Sequence, residues 1–214
     1  MSDLIFYTNP QSRGQTVRWM LEEVGAPYDT EILDYASTMK AEPYLSINPM
    51  GKVPAIKHKG KVVTEVAAIC CYLADAFPEA KLAPPTDDRA DYYRWIFFTS
   101  GPVEAAFSNK AVGWEPTPER QRMFGYGNYD LAINTLEKAL TGREYIAADH
   151  FTAADLFVGA NVNFMLAFNL LEPRPTFVDY ARRMTDRDAY RRARDIDAKL
   201  VAQAQAQAQQ PQPA

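Results

Sequence analysis

The sequence predicts two domains of different class, a small α/β domain on a mixed four-stranded sheet and an all-α domain after it. Strand and helix signals alternate as far as residue 78. Prolines 78, 84 and 85 then punctuate a linker over 79–87. Beyond it, periodicity is helical and no strand signal returns. The expected boundaries are 1–78, 79–87, 88–201 for the helical domain, and a disordered tail over 202–214.

In order along the chain, Leu4-Ile-Phe-Tyr7 is a short apolar run ended by Thr8-Asn9-Pro10, a buried strand and its turn. Val17, Met20, Leu21 and Val24 recur at helical spacing, and Gly25 and Pro27 close that helix. Tyr28 to Leu33 is rich in β-formers, so a second strand is expected. Residues 35–47 suggest only a short helix. Val53–His58 and Lys61–Thr64 flank Lys59-Gly60 as a hairpin, and Val66, Ile69, Cys70, Leu73 and Phe77 form a helical stripe. A helix crossover implies parallel pairing and a hairpin antiparallel pairing, which makes the sheet mixed.

In the second domain, Asp91–Phe98 is helical, with Gly101-Pro102 expected to kink or break it. Thr117-Pro118 has the form of an N-cap with proline at N1, opening a long helix to Leu140. Thr152-Ala-Ala-Asp155 is a variant capping box opening an apolar helix to Leu171. Residues 177–184 and 188–201 give two further helices. Their arginines, interleaved with Asp179, Asp186, Asp188 and Asp195, describe a solvated face. The Ala-Gln alternation after Val201 lacks large apolar residues and is expected to fray.

A chain of 214 residues with 47% hydrophobic content can bury a full core. A net charge of −4 gives no pull toward nucleic acid or an anionic membrane. The opening residues form no signal peptide, and no apolar run is long enough to cross a bilayer. Cys70 and Cys71 are the only cysteines and are adjacent, so they cannot staple a fold; a reducing cytoplasm is the expected compartment. Both are read as structural thiols. His58 and His150 stand apart without ligand spacing, and no metal is expected.

The stretch Asn48-Pro-Met-Gly-Lys-Val-Pro-Ala-Ile56 carries the functional signal. Pro54 cannot donate to a sheet ladder, so it belongs at a strand start or an irregular point. One reading is a cis Val53–Pro54 peptide that leaves the Val53 N–H and C=O as partners for an extended peptide. The other is a plain loop before an edge strand.

This stretch, Thr64-Glu-Val-Ala-Ala-Ile69 running into Tyr72-Leu-Ala-Asp75, and Thr152-Ala-Ala-Asp155 in the helical half together resemble the cytosolic glutathione transferases, from about Leu4 to about Val201. The resemblance implies a thioredoxin-like first domain, a homodimer and an electrophile site completed by the helical domain. Glutathione would be a co-substrate, with no further cofactor. It implies that Val53, before a cis Pro54 and after Lys52, pairs with the cysteinyl part of glutathione. Glu65 and Val66, at a helix N-terminus, would receive the γ-glutamyl end. Val66 stands where many members have serine, so one hydroxyl contact is missing. Lys40 would reach the glycyl carboxylate, unless it is simply solvated.

The thiolate is the nucleophile and needs a donor for its sulfur. Ser12 matches the catalytic serine of serine-type members, although an ordinary N-cap would use the same residue. Tyr7 is the rival, at the place of the tyrosine in tyrosine-type members; a strand-end core aromatic is its ordinary reading. Arg13 either contacts glutathione or is a solvated first-turn residue. Trp95 to Phe98, Phe107, Trp114 and Phe164 to Phe168 are candidates to line an electrophile site, although such residues are more often plain core. The expected activity is addition of glutathione to a small hydrophobic electrophile, with Ser12 as the hydrogen-bond donor to the sulfur, as in bacterial serine-type members. The alternatives are a non-enzymatic binding module on the same fold and a glutathione-dependent thiol–disulfide reductase. Serine in place of cysteine at position 12 disfavours the reductase.

Overall fold

The computed structural model describes residues 2–208. It divides into two units. One runs to Ala80 and takes up the chain again from Arg187; the other is Lys81–Asp186.

The first unit holds four strands: β1 (Leu4–Thr8), β2 (Asp29–Ile32), β3 (Ala55–His58) and β4 (Lys61–Thr64), in spatial order β2-β1-β3-β4. β1 pairs parallel with β2 and antiparallel with β3, and β3–β4 is the hairpin around Lys59-Gly60. The sheet is mixed, as periodicity and turn chemistry predict. α1 (Gly14–Val24) ends on Gly25 in the left-handed conformation, φ +70, and α2 (Val66–Ala76) follows the hairpin. Side chains alternate across β1. Phe6 is fully buried and meets Tyr28 edge-on and the Arg18 guanidinium from α1. Tyr7, on the opposite face, joins Leu33, Met39, Tyr44 and Ala55 in a second core, with Ile5, Ile47 and Val53 packed on it. Residues 35–47 contain two short 3-10 turns, Thr38–Lys40 and Tyr44–Ser46, in place of one helix.

In the second unit, α3 (Ala90–Phe98) passes through a π turn over Thr99–Val103 into α4 (Glu104–Ala111). Pro102 sits inside that wide turn, so the helix is deformed there without ending. α5 (Tyr129–Leu140) starts well after Thr117-Pro118, on Asn128, whose side chain accepts from the Leu131 N–H. The Thr117 carbonyl closes only a local turn, taking N–H bonds from Arg120 and Gln121; a 3-10 turn follows over Gln121–Met123 and ends at Phe124, which is extended at φ −107 and ψ 130. α6 (Ala153–Ala167) begins with the capping box at Thr152 and ends four residues before Leu171, ahead of Asn169 at φ +56. α7 (Pro175–Thr185) packs against α6. Trp95 and Phe107 are buried, whereas Trp114 and Phe168 are 43% and 64% exposed, so these aromatics do not behave as one core.

α8 (Asp188–Ala208) corrects the expected boundaries twice. It continues through 202–208, where a disordered tail was expected; alanine and glutamine are good helix formers. Residues 209–214 of that expected tail lie outside the described residues. Second, α8 belongs with the first unit, packed on α1. Arg18 and Asp197, both nearly inaccessible, pair at 2.7 Å. Arg187 grips Glu23 with two bonds of 2.6 and 2.8 Å, Arg192 pairs with Glu22, and Arg194 bonds Gln15. Arg192 and Arg194 remain exposed, as a solvated face requires, while also reaching α1; Arg187, just before α8, is the half-buried contact. Among the described residues, no helix is long and apolar enough to cross a membrane.

Candidate functional site

Strand register brings the site together. Tyr7 pairs with Ala55 across β1–β3, and Ala55 with Thr64 across β3–β4. The end of β1, the Val53-Pro54 approach to β3 and the exit from β4 at Glu65 therefore share one end of the sheet. Two strand spacings cover roughly 10 Å, about the span of an extended tripeptide.

At the centre of this row lies the loop 48–54. Buried Asn48 shapes it: its Oδ1 accepts from the Met50 N–H at 3.1 Å, and its Nδ2 donates to the Lys52 carbonyl at 2.8 Å. Gly51 has φ +56, and a Cβ there would lie 2.9 Å from the Met39 carbonyl oxygen, so both conformation and space require glycine. The Val53–Pro54 peptide is cis. The Val53 side chain packs on the Tyr7 core, and its N–H and C=O have no hydrogen-bond partner among the described residues. The Lys52 side chain is exposed. Lys40 is spent on main chain, its Nζ donating to the Gly51 carbonyl at 2.5 Å and the Met50 carbonyl at 3.4 Å.

At one flank is the N-terminus of α2. Ala67, Ile69, Cys70, Leu73 and Ala74 bury its inner face. Glu65, the N-cap residue, is exposed, has φ +67 and ψ 120, and makes no side-chain cap bond. A non-glycine residue held there costs about 1–3 kcal/mol, a cost concentrated at ligand sites. The first-turn N–H groups from Val66 onward have no intrahelical acceptor and favour an anion.

At the other flank are the two hydroxyls. Tyr7 is 6% exposed, and its Oη makes no hydrogen bond among the described residues. Its ring lies against Tyr44, centroids 5.6 Å apart. Burial, with Glu31 nearby, pushes its pKa up, so it stays a neutral donor. Ser12 is the reverse. Its Oγ donates to the Asn9 carbonyl at 2.7 Å and accepts from the Gly14 N–H at 2.9 Å. A Cβ on Gly14 would come within 2.0 Å of Thr8 Oγ1, which is why glycine follows Arg13. Asn9 ties this loop to the residue after β2, its Nδ2 donating to the Leu33 carbonyl at 2.9 Å. Arg13 is the half-buried N-cap residue of α1.

The fold thus gathers Tyr7, Val53, Pro54, Glu65 and Val66 at one sheet end, with Ser12 and Arg13 on the loop that continues β1. Lys40 turns inward to the 48–54 loop. Sequence reasoning missed Tyr44, whose hydroxyl donates to the Lys52 carbonyl at 2.6 Å. The Lys40, Tyr44, Asn48 spacing of four was its only signal. The thiols offer no alternative chemistry at this end: Cys70 is buried with its pKa pushed up by desolvation, and Cys71, half-buried, also lies within α2.

Residues 12–76 match the family described as "Glutathione S-transferase, N-terminal domain". Protein LigF of Sphingobium sp. is 29% identical, over 64% of this chain and 66% of its own length, so the chain spans just under two thirds of that relative. Glutathione S-transferase 1 of Schizosaccharomyces pombe is 30% identical over 68% of each chain. Among solved structures, the glutathione transferase URE2P6 from Phanerochaete chrysosporium, in complex with oxidized glutathione, has a TM-score of 0.74 at 25% identity, covering 92% of this chain and 97% of its own.

Proposed function

The chain belongs to the glutathione S-transferase family, and from that premise we propose that it adds the thiolate of glutathione to a small hydrophobic electrophile. The observation that carries this reading is the unpaired main chain of Val53, within a tripeptide's length of the open N-terminus of α2. The cysteinyl main chain of glutathione pairs with Val53. Its γ-glutamyl carboxylate takes the first-turn N–H groups of α2, and its ammonium faces Glu65. The thiol proton leaves to solvent, the sulfur lone pair forms the new bond to the electrophilic carbon, and the π pair of the electrophile moves to its acceptor atom, which takes a proton from solvent; where the carbon carries a leaving group instead, that group departs with the pair of the broken bond. The active species we envisage is a homodimer in the cytoplasm.

The hydrogen-bond inventory favours Tyr7 over Ser12 as the sulfur's donor. Ser12 would have to give up Asn9, trading a neutral bond for a charge-assisted one, a gain of about 1 kcal/mol. Tyr7 surrenders nothing and can return roughly 1.5–3 kcal/mol, about one to two pKa units on the thiol. Because nucleophilicity falls with pKa, the net gain at neutral pH is only several-fold. The larger part of the acceleration comes from holding the two reactants together. Ser12 remains the second reading because it adjoins the N-terminus of α1. The reductase alternative lacks a thiol at this end of the sheet.

The test is the pH–rate profile of the conjugation reaction. Tyr7→Phe should raise the apparent pKa of the bound thiol by about one to two units and cut kcat/KM roughly three- to tenfold at pH about 6.5, with no loss well above the new pKa. Ser12→Ala should leave the profile in place and cost about 1 kcal/mol of stability. The opposite pattern moves the donor to Ser12. Absence of conjugation with a panel of electrophiles, despite glutathione binding, would favour the non-enzymatic module.

A further inference from the structure

Consecutive carbonyls just before Val53 are each held by a side chain from residues 40–48. Lys40 Nζ donates to Gly51 O and, more weakly, to Met50 O, at 2.5 and 3.4 Å. Tyr44 Oη and Asn48 Nδ2 converge on Lys52 O, at 2.6 and 2.8 Å. Tyr44 is 2% exposed and wedged against Tyr7, so its hydroxyl cannot wander. The Lys52–Val53 peptide is trans, the cis bonds among the described residues being Glu42–Pro43 and Val53–Pro54. In a trans peptide plane the carbonyl of one residue and the N–H of the next point in opposite directions. Pinning the Lys52 carbonyl toward Tyr44 and Asn48 therefore aims the Val53 N–H away from them.

We propose that Lys40, Tyr44 and Asn48 form a clasp on the carbonyls of residues 50–52 that fixes the direction of the Val53 N–H. They are thereby positioning residues for the cysteinyl main chain of glutathione. The inference rests on Val53 being the docking point proposed above. It also reassigns Lys40 from a contact with the glycyl carboxylate to a support of the protein's own backbone.

The two roles of Lys40 separate with γ-glutamylcysteine, which keeps the cysteinyl main chain and lacks the glycyl residue. Dissociation constants for both thiols, measured by calorimetry on the full chain, are the readout. Lys40→Met should weaken both by the same factor, roughly tenfold for a lost charged donor, and Lys40→Arg should restore most of it. Tyr44→Phe, which keeps the ring in its core, should weaken both about threefold, Asn48 still holding Lys52. Loss of glutathione affinity with γ-glutamylcysteine unchanged in Lys40→Met would overturn the clasp in favour of direct contact. Unaltered affinities in Tyr44→Phe would overturn it as well. Wild-type protein binding neither thiol would defeat the parent reading and this one with it, a result distinct from unequal losses.

Discussion

The N-termini of α2 and α6 are built in opposite ways. At α6, Thr152 and Asp155 are inaccessible to solvent, and the carboxylate accepts from the Thr152 N–H and hydroxyl, the Ile146 N–H at 2.7 Å and the Tyr180 hydroxyl at 2.9 Å. The Thr152 Oγ1 in turn accepts from the Ala154 N–H. Each donor that comes within reach has been given a partner. At α2, Glu65 lies in the open with φ +67 and offers no side-chain cap. Buried polar groups left unpaired are costly, so a closed terminus serves stability. An exposed terminus with unspent N–H groups stabilises the fold less and keeps binding capacity for a ligand. The same helix-end chemistry thus serves the fold in one half of the chain and, in the proposed function, recognition in the other.

The largest expected effect is on the closed terminus. Asp155→Ala strands the Ile146 and Thr152 N–H groups and the Tyr180 hydroxyl in a dry environment, and should cost about 3–5 kcal/mol. A thermal melt should show a large downward shift, with low recovery of the protein at growth temperature. Thr152→Ala removes one cap acceptor and one donor, and about 1–2 kcal/mol is expected. If both variants melt like the wild type, α6 is not held by its cap and the contrast with α2 disappears.

What could be read from the sequence follows the range over which each signal acts. The capping box, the hairpin around Lys59-Gly60 and the Gly25 stop are set by residues within a few positions of one another, and each stands where local chemistry puts it. The residues of the row, Tyr7, Val53 and Glu65, were named through the family resemblance; the β1–β3 pairing that aligns them follows from neither the hairpin nor the crossover. The place of α8 was not accessible either. Arg18 follows Val17 on α1 and by polarity alone belongs in water, yet it is 1% exposed because its partner, Asp197, comes from 179 residues away. No periodicity encodes that pairing. The Thr117-Pro118 signature failed differently: it is a sound local start, but the chain passes through a 3-10 turn and is extended at Phe124 before a helix can propagate. The hydrogen-bond state of Ser12 and Tyr7 was equally hidden, since it depends on where the Asn9 carbonyl points.

The smallest and most discriminating change is at Glu65. Glycine adopts φ +67 without steric penalty, so Glu65→Gly should release part of the 1–3 kcal/mol that such a conformation costs another residue. Glycine's greater freedom in the unfolded chain offsets some of this, leaving a gain of about 1 kcal/mol. Glu65→Ala removes the same carboxylate and keeps the strained backbone, so it should show no gain. Both should bind glutathione about tenfold more weakly, because the ammonium loses its charged partner. A stabler Gly variant with impaired binding identifies backbone strain retained for a ligand. Equal melting of the Gly and Ala variants would mean that nothing is stored at Glu65. Unimpaired binding in both would mean that the carboxylate faces no ammonium, and the open terminus of α2 would then be only an uncapped helix.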